Sequence, residues 1–396
     1  PSSKHKTLKK AKHPYYGLEI RTTITYDRLT WVDENLNVVP QLATSWEAIE
    51  EDQTVWEAEI REGVKFHDGR DLTVEDVVAS YKMHKDKKLG TSFSKKLVKD
   101  IEKAGPQKVR FHLLSPNSEL PWWMAEYRQA IMPADELSKM GYSGNGTGPF
   151  KFVKIDPGRR VIYEPNENYW GEGPYLEQLE VISQKGVDPV NAYLAGQIDA
   201  ILQADPGLIG QFKSRDDTVV DVATSGDQIL MVLPKYDDSV FKDKLIRQAL
   251  SLALDREQIV RIAYNGLGWV SNDSHMHAAS PDFLAKSPIR DVAKAKKLLE
   301  EAGYPKGITL PTFYYAPYYP EIGRVFQVAA ESVKDAGITM PIEERPLDGY
   351  RKWRVEDKKK TRKHRFAMGP VGARNSSANM FRMARPTYNE SGYWHP

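Results

Sequence analysis

The sequence contains no cysteine in its 396 residues. This absence excludes disulfide bonds, a nucleophilic thiolate and cysteine ligands for a metal. The chain also lacks any run of about 18 apolar residues, so no segment is predicted to span a membrane. The basic start, residues 1–14, has no apolar core of the kind found in a signal peptide. Such a start fits both an exported protein after processing and a cytoplasmic one.

The sequence also lacks a large excess of charge of one sign. It has 56 Lys and Arg residues and 54 Asp and Glu residues, which gives a net charge of +2. This balance provides no broad electrostatic field for a nucleic acid or a membrane surface, and we expect no nucleic-acid partner. The one basic run, residues 357–366, is interpreted as a solvated helix end or loop. The alternative is a surface for an acidic partner or a nucleic acid, although no aromatic platforms lie beside the run. The length predicts about two or three domains.

The stretch "GVKFHDGRDLTVEDVVASYK", residues 63–82, concentrates titratable side chains. His67, Asp68 and Glu75 could form an acid/base or metal cluster, which would make the chain an enzyme. The alternative is structural: alternation in residues 54–66 predicts a strand, and "HDG" predicts a turn. Thr73 and Asp76 then have the spacing of a capping box at the start of a helix. We favour the structural interpretation.

The remaining patterns predict a mixed α/β protein. The glycines of residues 144–149 are interpreted as a turn into a strand, because no Walker Lys-Ser/Thr pair and no helix follow them. A helix is predicted from Asp188 to Gly196, with a short strand after it. Residues 241–264 predict two helices divided by Asp255, which would cap the second. Further helices are predicted between Asp291 and Gly303 and over residues 321–337.

Eight phrases occur in an order and spacing that resemble one protein family. They are "NVVPQLATSWE", "EIREGVKFHDGRDLTVEDVVASYK", "GTGPFKFVK", "YEPNENYW", "AYLAGQIDA", "FKDKLIRQALSLALDREQIV", "AKKLLEEAGYPKG" and "YNESGYWHP". Together they span residues 18–396 and resemble the family-5 extracellular solute-binding proteins, the peptide/nickel-type receptors of bacterial ABC importers. The resemblance makes the "KFHDG" region a structural signature.

The resemblance implies an α/β fold of the type II periplasmic-binding-protein kind, with two lobes, in three domains, joined by a hinge. Domain I would comprise residues 1–30 and 150–262, domain II residues 31–149, and domain III residues 263–396. Family members usually begin with a strand phrase ending in "LDP" and continue beyond "NESGY", whereas this sequence stops at Pro396. We therefore expect a trimmed or incomplete chain.

The function implied is that of a receptor, not an enzyme, with no cofactor. It would capture a peptide or similar small solute and deliver it unaltered to ABC permease subunits in the membrane. A monomer is expected, in the periplasm or tethered outside the membrane by a lipid anchor. A chemosensory or chaperone-like binding module remains an alternative.

Ligand contacts are expected, by the same resemblance, in regions that face the solute in the family. The candidates are Tyr16, Glu19, Phe93, Met231, Trp269, Asn272, Asp273, His275, Tyr314, Tyr315, Arg374 and Asn375. For each of them, core packing or a surface loop is the alternative.

One departure from the family bears on the ligand. Peptide receptors usually carry a tryptophan and an aspartate near Arg374, and the phrase here, "MGPVGARNSSANMF", has neither. A peptide ammonium would lack its counter-charge there, whereas Arg374 would suit a carboxylate or phosphate. Opine-like, sugar-like or carboxylated ligands are therefore alternatives to a peptide. His275 and His277 could share one face of a strand and hold a metal complex, although no third ligand is spaced nearby.

Overall fold

The computed structural model describes residues 22–35, 37–85, 97–139, 144–182, 188–222, 228–231, 233, 239–271, 289–317, 319–346 and 368–371. The chain divides into two compact units, Pro1–Ala195 and Gly196–Pro396.

The first unit is built on three antiparallel sheets. Its strands are β1 (Thr30–Val32), β2 (Val38–Pro40), β3 (Ala43–Ala48), β4 (Val55–Ile60), β5 (Val98–Gly105), β6 (Lys108–Leu113), β7 (Phe150–Asp156), β8 (Arg160–Pro165) and β9 (Leu179–Ile182). Its helices are α1 (Val74–Lys85), α2 (Leu120–Met124) and α3 (Pro189–Leu194). The sheets are the pair β1-β2, the four-stranded β3-β4-β6-β5 and the three-stranded β7-β8-β9.

The four-stranded sheet carries the main core of this unit on one face. Trp56 of β4 lies opposite Phe111 of β6, and both are buried. Tyr81 of α1 packs edge-on against Phe111, with 5.0 Å between ring centroids. On the other face Glu57 pairs with Arg110, which lies opposite it in the register. The predicted alternation of β4 is therefore confirmed.

Helix α1 begins at the predicted capping box. The main-chain N–H of Thr73 donates to Asp76 Oδ2 at 3.0 Å, and the N–H of Asp76 donates to Thr73 Oγ1 at 3.3 Å. Two main-chain donors that have no partner inside the helix are thereby satisfied. Asp76 also accepts from the N–H of Ala134 at 2.8 Å. The acids at the start of this helix therefore have structural partners.

The glycine-rich loop, residues 144–149, leads into β7 as predicted and packs against the backbone of residues 24–25. The Gly148 N–H donates to the Thr25 carbonyl at 3.0 Å. A Cβ added to Gly146 would lie 2.0 Å from the Thr25 carbonyl oxygen. The loop needs glycine at this position because two backbone segments touch there.

The second unit combines parallel and antiparallel strand pairs with helices. Its strands are β10 (Gln228–Met231), β11 (Ile308–Thr309), β12 (Phe313–Tyr315), β13 (Ile338–Thr339), β14 (Ile342–Glu344) and β15 (Met368–Val371). Its helices are α4 (Ile209–Lys213), α5 (Lys244–Ala253), α6 (Arg256–Ala263), α7 (Val292–Glu301) and α8 (Ile322–Ser332). Pairs β11-β13 and β12-β14 are parallel, and β10-β15 is antiparallel.

The predicted caps of this unit form. Asp255 accepts from the Gln258 N–H, and Asp291 accepts from the Lys294 N–H, each at 2.8 Å. Gly303 and Gly337 end their helical segments with positive φ angles of 88° and 80°. These local signals predict the helix boundaries, because caps and left-handed glycines satisfy the unpaired main-chain N–H and C=O groups within a few residues of each helix end.

One sequence expectation is wrong, and another stays a prediction. Helix α3 ends at Leu194, with Gly196 at the C′ position as expected, but residues 197–205 form no strand, only bends and irregular segments. None of the side chains of this segment is buried, although Ile198, Ile201 and Leu202 are apolar, so a strand here would gain little from packing. The three-domain division stays a prediction. Within the described residues, none of the helices is both long and apolar enough to cross a membrane.

Replacing Gly146 with alanine is expected to lower the free energy of unfolding by about 3 kcal/mol, because the new Cβ would displace backbone. Gly210, inside α4, is the matched control, since a Cβ there meets nothing within 4 Å. Gly210→Ala should be neutral or stabilising by up to about 1 kcal/mol. Urea unfolding of the whole chain measures both variants, and equal stability of the two would contradict the packing of this loop.

Candidate functional site

The histidine of the "KFHDG" stretch faces backbone groups of the glycine-rich loop. Its Nε2 lies 2.9 Å from the Gly148 carbonyl oxygen. Its Nδ1 lies 3.1 Å from the Gly144 carbonyl oxygen and 3.3 Å from the Gly146 nitrogen. In the neutral ring, Nε2–H donates to Gly148 while Nδ1 accepts from Gly146. Both ring nitrogens of His67 are therefore occupied in holding the loop.

The neighbouring acids are engaged in the same way. Asp68 accepts from Arg70 Nε at 2.7 Å and from Asn145 Nδ2 at 2.8 Å. Glu75 pairs with Lys103 at 2.6 Å. Across the described ranges, no group of three or more His, Asp or Glu side chains is placed to hold a metal ion. This geometry supports the structural interpretation of the stretch.

A buried carboxylate that sequence reasoning missed also contacts the loop. Asp27 is 1% exposed. It accepts from Gln41 Nε2 at 2.8 Å, Trp170 Nε1 at 2.9 Å and Thr147 Oγ1 at 3.0 Å. Its partners lie up to 143 positions away, so no local pattern could reveal it. Asp27 ties the loop to the segment of residues 22–29 and to the turn before Trp170.

Burial moves the pKa values of both titratable groups beside the loop. Burial raises the pKa of Asp27 above 3.8, against the lowering effect of the Trp170 and Thr147 hydrogen bonds. Burial lowers the pKa of His67 below 6.5, against the raising effect of the Gly148 and Gly144 carbonyls. Burial thus favours the neutral ring of His67 near neutral pH, whereas the two carbonyls favour the protonated ring.

Most of the predicted ligand contacts lie outside the described residues: Tyr16, Glu19, Phe93, Asn272, Asp273, His275, Arg374 and Asn375. His277, of the metal alternative, and the basic run of residues 357–366 lie outside them as well. Four candidates are described, and all belong to the second unit: Met231, Trp269, Tyr314 and Tyr315.

Met231 and Trp269, two of these four, differ in how far they are buried. Met231 ends β10, opposite Met368 of β15 in the register, and is partly buried against the core of the unit. Strand β12 contacts β15, which brings Met231 into the same part of the unit as the two tyrosines. Trp269 follows α6 in a loop and is 60% exposed.

The adjacent tyrosines of β12 point to opposite faces. Tyr315 is 7% exposed and stacks on Phe326 of α8, with 4.4 Å between ring centroids. Burial and the neighbouring Glu344 carboxylate raise the pKa of the Tyr315 hydroxyl above 10.0. Tyr314 lies on the other face, half-buried, beside Glu343 in the register. Alternation along the strand therefore assigns Tyr315 to the core and leaves Tyr314 as the better ligand candidate.

A cation that the sequence did not single out covers Tyr314. The guanidinium carbon of Arg345 lies 4.5 Å from the centre of the Tyr314 ring. Arg345 also pairs with Glu343, with 2.9 Å between Nη2 and Oε1. The residues Tyr314, Glu343 and Arg345, here called the edge cluster, lie where two parallel strands end. Open α/β sheets bind ligands outside the carboxyl ends of such strands. Arg345 could have been identified from the sequence by this rule, if "PIEERP" had been recognised as the carboxyl end of a parallel strand.

A shallow depression of about 430 Å³ lies elsewhere in the second unit. It is lined by Ser239, Val240, Lys242, Asp243, Ile246, Ala302 and Tyr304. None of the four candidates that the structure describes lines this depression.

Comparison with known proteins establishes the family. The model of the bacterial extracellular solute-binding proteins, family 5, matches residues 37–392. The chain belongs to this family. A family-5 relative, the oligopeptide-binding protein AppA of Bacillus subtilis, is 30% identical over 312 residues. The match covers 73% of this chain and 51% of AppA, so the chain spans about half the length of that relative.

Solved structures show the fold. NikA from Staphylococcus aureus, in complex with Ni(L-His)2, matches with a TM-score of 0.78 and 21% identity, covering 97% of this chain and 82% of NikA. The ABC transporter-associated periplasmic binding protein DppA from Helicobacter pylori, in complex with the peptide STSA, matches with a TM-score of 0.73 and 23% identity, covering 94% and 76%. The fold is therefore the α/β fold of type II periplasmic binding proteins, and the predicted fold class is confirmed.

The two titratable groups beside the loop give opposite pH dependences. Folded His67 binds fewer protons than unfolded His67, so the wild-type chain loses stability as pH falls from 6.5 towards the lowered pKa. The destabilisation caused by His67→Asn should shrink over that window.

Folded Asp27 binds more protons than unfolded Asp27, so the wild-type chain gains stability as pH falls through the raised pKa towards 3.8. The destabilisation caused by Asp27→Asn should grow. Urea unfolding at several pH values measures both, and slopes of the same sign for the two variants would refute the assignment.

The division between core and surface aromatics is testable by truncation. Tyr315→Ala should lower the free energy of unfolding by about 3–5 kcal/mol, because it removes a buried ring that stacks on Phe326. Trp269→Ala should change it by no more than about 0.5 kcal/mol, because most of that side chain is in solvent. Thermal and urea unfolding provide the comparison. A large loss for Trp269→Ala would mean that its loop packs more tightly than described.

Proposed function

We propose that this chain is the substrate-binding receptor of a bacterial ABC importer, which captures a peptide or similar small solute and delivers it to the membrane permease. The observation that carries the proposal is the family match over residues 37–392. The names of its relatives support it, since AppA is an oligopeptide-binding protein and the H. pylori protein is ABC transporter-associated and holds a peptide.

Binding in such a receptor requires no chemistry on the ligand. Affinity would come from burying the solute among aromatic side chains, with a few polar groups fixing its orientation. A ligand-bound state would be favoured only by its additional contacts with the solute. The edge cluster offers both kinds of group, an aromatic ring and charged side chains. The remaining predicted contacts, including Trp269 and Arg374, belong to the proposal as candidates.

An enzymatic function is less well supported. His67, the strongest acid/base candidate in the sequence, spends both ring nitrogens on backbone partners. Asp27 is enclosed by three side-chain donors. Neither group is presented to a substrate, so the described geometry favours a receptor that releases its solute unaltered.

A metal complex is the second candidate ligand, favoured by the likeness to NikA with its bound Ni(L-His)2. The opine-like and sugar-like alternatives rest on the departure from the family pattern around Arg374. All of these ligands would use the same receptor function, so the choice among them concerns the solute alone.

The proposal extends to partners, place and domains. ABC permease subunits are the expected partners, and the receptor is expected to be a monomer in the periplasm or tethered outside the membrane. A nucleic-acid partner is not expected, because a net charge of +2 provides no broad positive field. The division into domain I (residues 1–30 and 150–262), domain II (31–149) and domain III (263–396) is supported by the Gly148–Thr25 contact. That contact brings together the two points where the chain would enter and leave domain II.

Native mass spectrometry of the purified chain, followed by denaturing release, tests the function. We expect a co-purifying peptide or other small solute, or an empty chain that takes up one solute per molecule from a mixture of peptides, opines and nickel–histidine complexes. The solute should be recovered with unchanged mass. A solute recovered as a product of altered mass would contradict the receptor function, and failure to bind any member of the mixture would also count against it.

A further inference from the structure

The carboxyl ends of β12 and β14 lie together at one end of a two-stranded sheet, since the two strands are parallel. Arg345 is the first residue beyond β14. Its main-chain N–H donates to the Tyr315 carbonyl at 2.8 Å, which keeps the chain aligned with β12 past the end of its own strand. Its side chain therefore starts from a fixed position at the edge where open α/β sheets receive ligands.

Two contacts with described residues contribute to the orientation of the Arg345 guanidinium group. The face of Tyr314 supports it at 4.5 Å, and Glu343 holds Nη2 at 2.9 Å. Glu343 and Arg345 are two residues apart on an extended segment, so both lie on the same side as Tyr314 and away from the ring of Tyr315. A planar guanidinium stacked on an aromatic ring is presented edge-on, in the geometry that binds a carboxylate through two hydrogen bonds.

The pair with Glu343 is the kind that a ligand can displace. The Arg345 side chain is 34% exposed and that of Glu343 is 50% exposed. An ion pair between such solvated groups contributes little net stability, because water compensates each charge when the pair separates. An incoming carboxylate would replace one carboxylate by another, while Glu343 would return to solvent at small cost.

We propose that Arg345 is the cation of a ligand subsite at the edge cluster, that it binds a carboxylate of the solute, and that Glu343 holds the guanidinium in place until the solute displaces it. This inference rests on the proposed receptor function and narrows it, because it names a solute with a free carboxylate. Tyr314 acts as a positioning residue that keeps the guanidinium plane turned towards the solute.

Equilibrium binding of the whole chain to two matched tripeptide pools tests the subsite, one pool with free carboxyl termini and one with amidated termini. The wild-type chain should bind the free-carboxylate pool at least about 10-fold more tightly. Arg345→Gln should weaken binding of that pool by about 10- to 100-fold and leave the amidated pool unchanged. Glu343→Gln should strengthen binding of the free-carboxylate pool by about 1.5- to 5-fold, because it removes the competing carboxylate.

The controls separate a binding effect from a folding effect. Arg215 forms an exposed pair with Asp217, again two residues away, at 2.6 Å, so Arg215→Gln matches the chemistry of Arg345→Gln outside the edge cluster. It should leave both pools unaffected. Arg345→Lys keeps the charge without the planar fork and should give an intermediate loss. Thermal unfolding of each variant checks that the chain remains folded.

Two results would overturn the inference, in distinguishable ways. Equal binding of the free-carboxylate pool by the wild-type chain and by Arg345→Gln would remove the subsite and leave the receptor function standing. Binding of neither pool by the wild-type chain would remove the subsite together with a peptide as the solute.

Discussion

The first unit depends on one buried carboxylate and the loop that it holds. Asp27 has three side-chain donors around it and almost no contact with water. A buried charge of this kind is tolerated only when its hydrogen bonds are complete, so the segments that supply the donors must keep their positions. His67 contacts the same loop through the carbonyls of Gly144 and Gly148. The histidine that looked most reactive in the sequence thus joins distant parts of the chain, as does Asp27.

This arrangement explains why local sequence patterns predicted elements better than connections. The capping box of Thr73 and Asp76 and the caps at Asp255 and Asp291 each involve residues three positions apart, and all of them form. The strand expected after Gly196 does not form, and the apolar side chains of Ile198, Ile201 and Leu202 in that segment are not buried. Asp27 could not be identified, because its partner Thr147 lies 120 positions away and only the fold brings them together.

The candidate site shows the same limit. Tyr314 and Tyr315 are adjacent residues of the same type, and the family resemblance suggests both as ligand contacts. In the structure Tyr315 stacks on Phe326 in the core, whereas Tyr314 contacts Arg345. The alternation of β12 predicts that they differ, but only the packing of α8 decides which of them is buried. Arg345 is a ligand candidate because β12 pairs with β14 in parallel, and no pattern within "PIEERP" predicts that pairing. Family membership came from phrases spread over the whole chain, whereas the identity of the solute depends on a few side chains.

The account separates a structural centre, the loop of residues 144–149, from a ligand-facing one, the edge cluster. Hydrogen exchange of the whole chain, with and without a saturating solute identified by mass spectrometry, tests this separation directly. The account predicts that the solute slows exchange in residues 313–316 and 342–346, while the loop, already held by Asp27 and His67, exchanges at an unchanged rate. Slowed exchange in the loop and around His67, with the edge cluster unaffected, would contradict it.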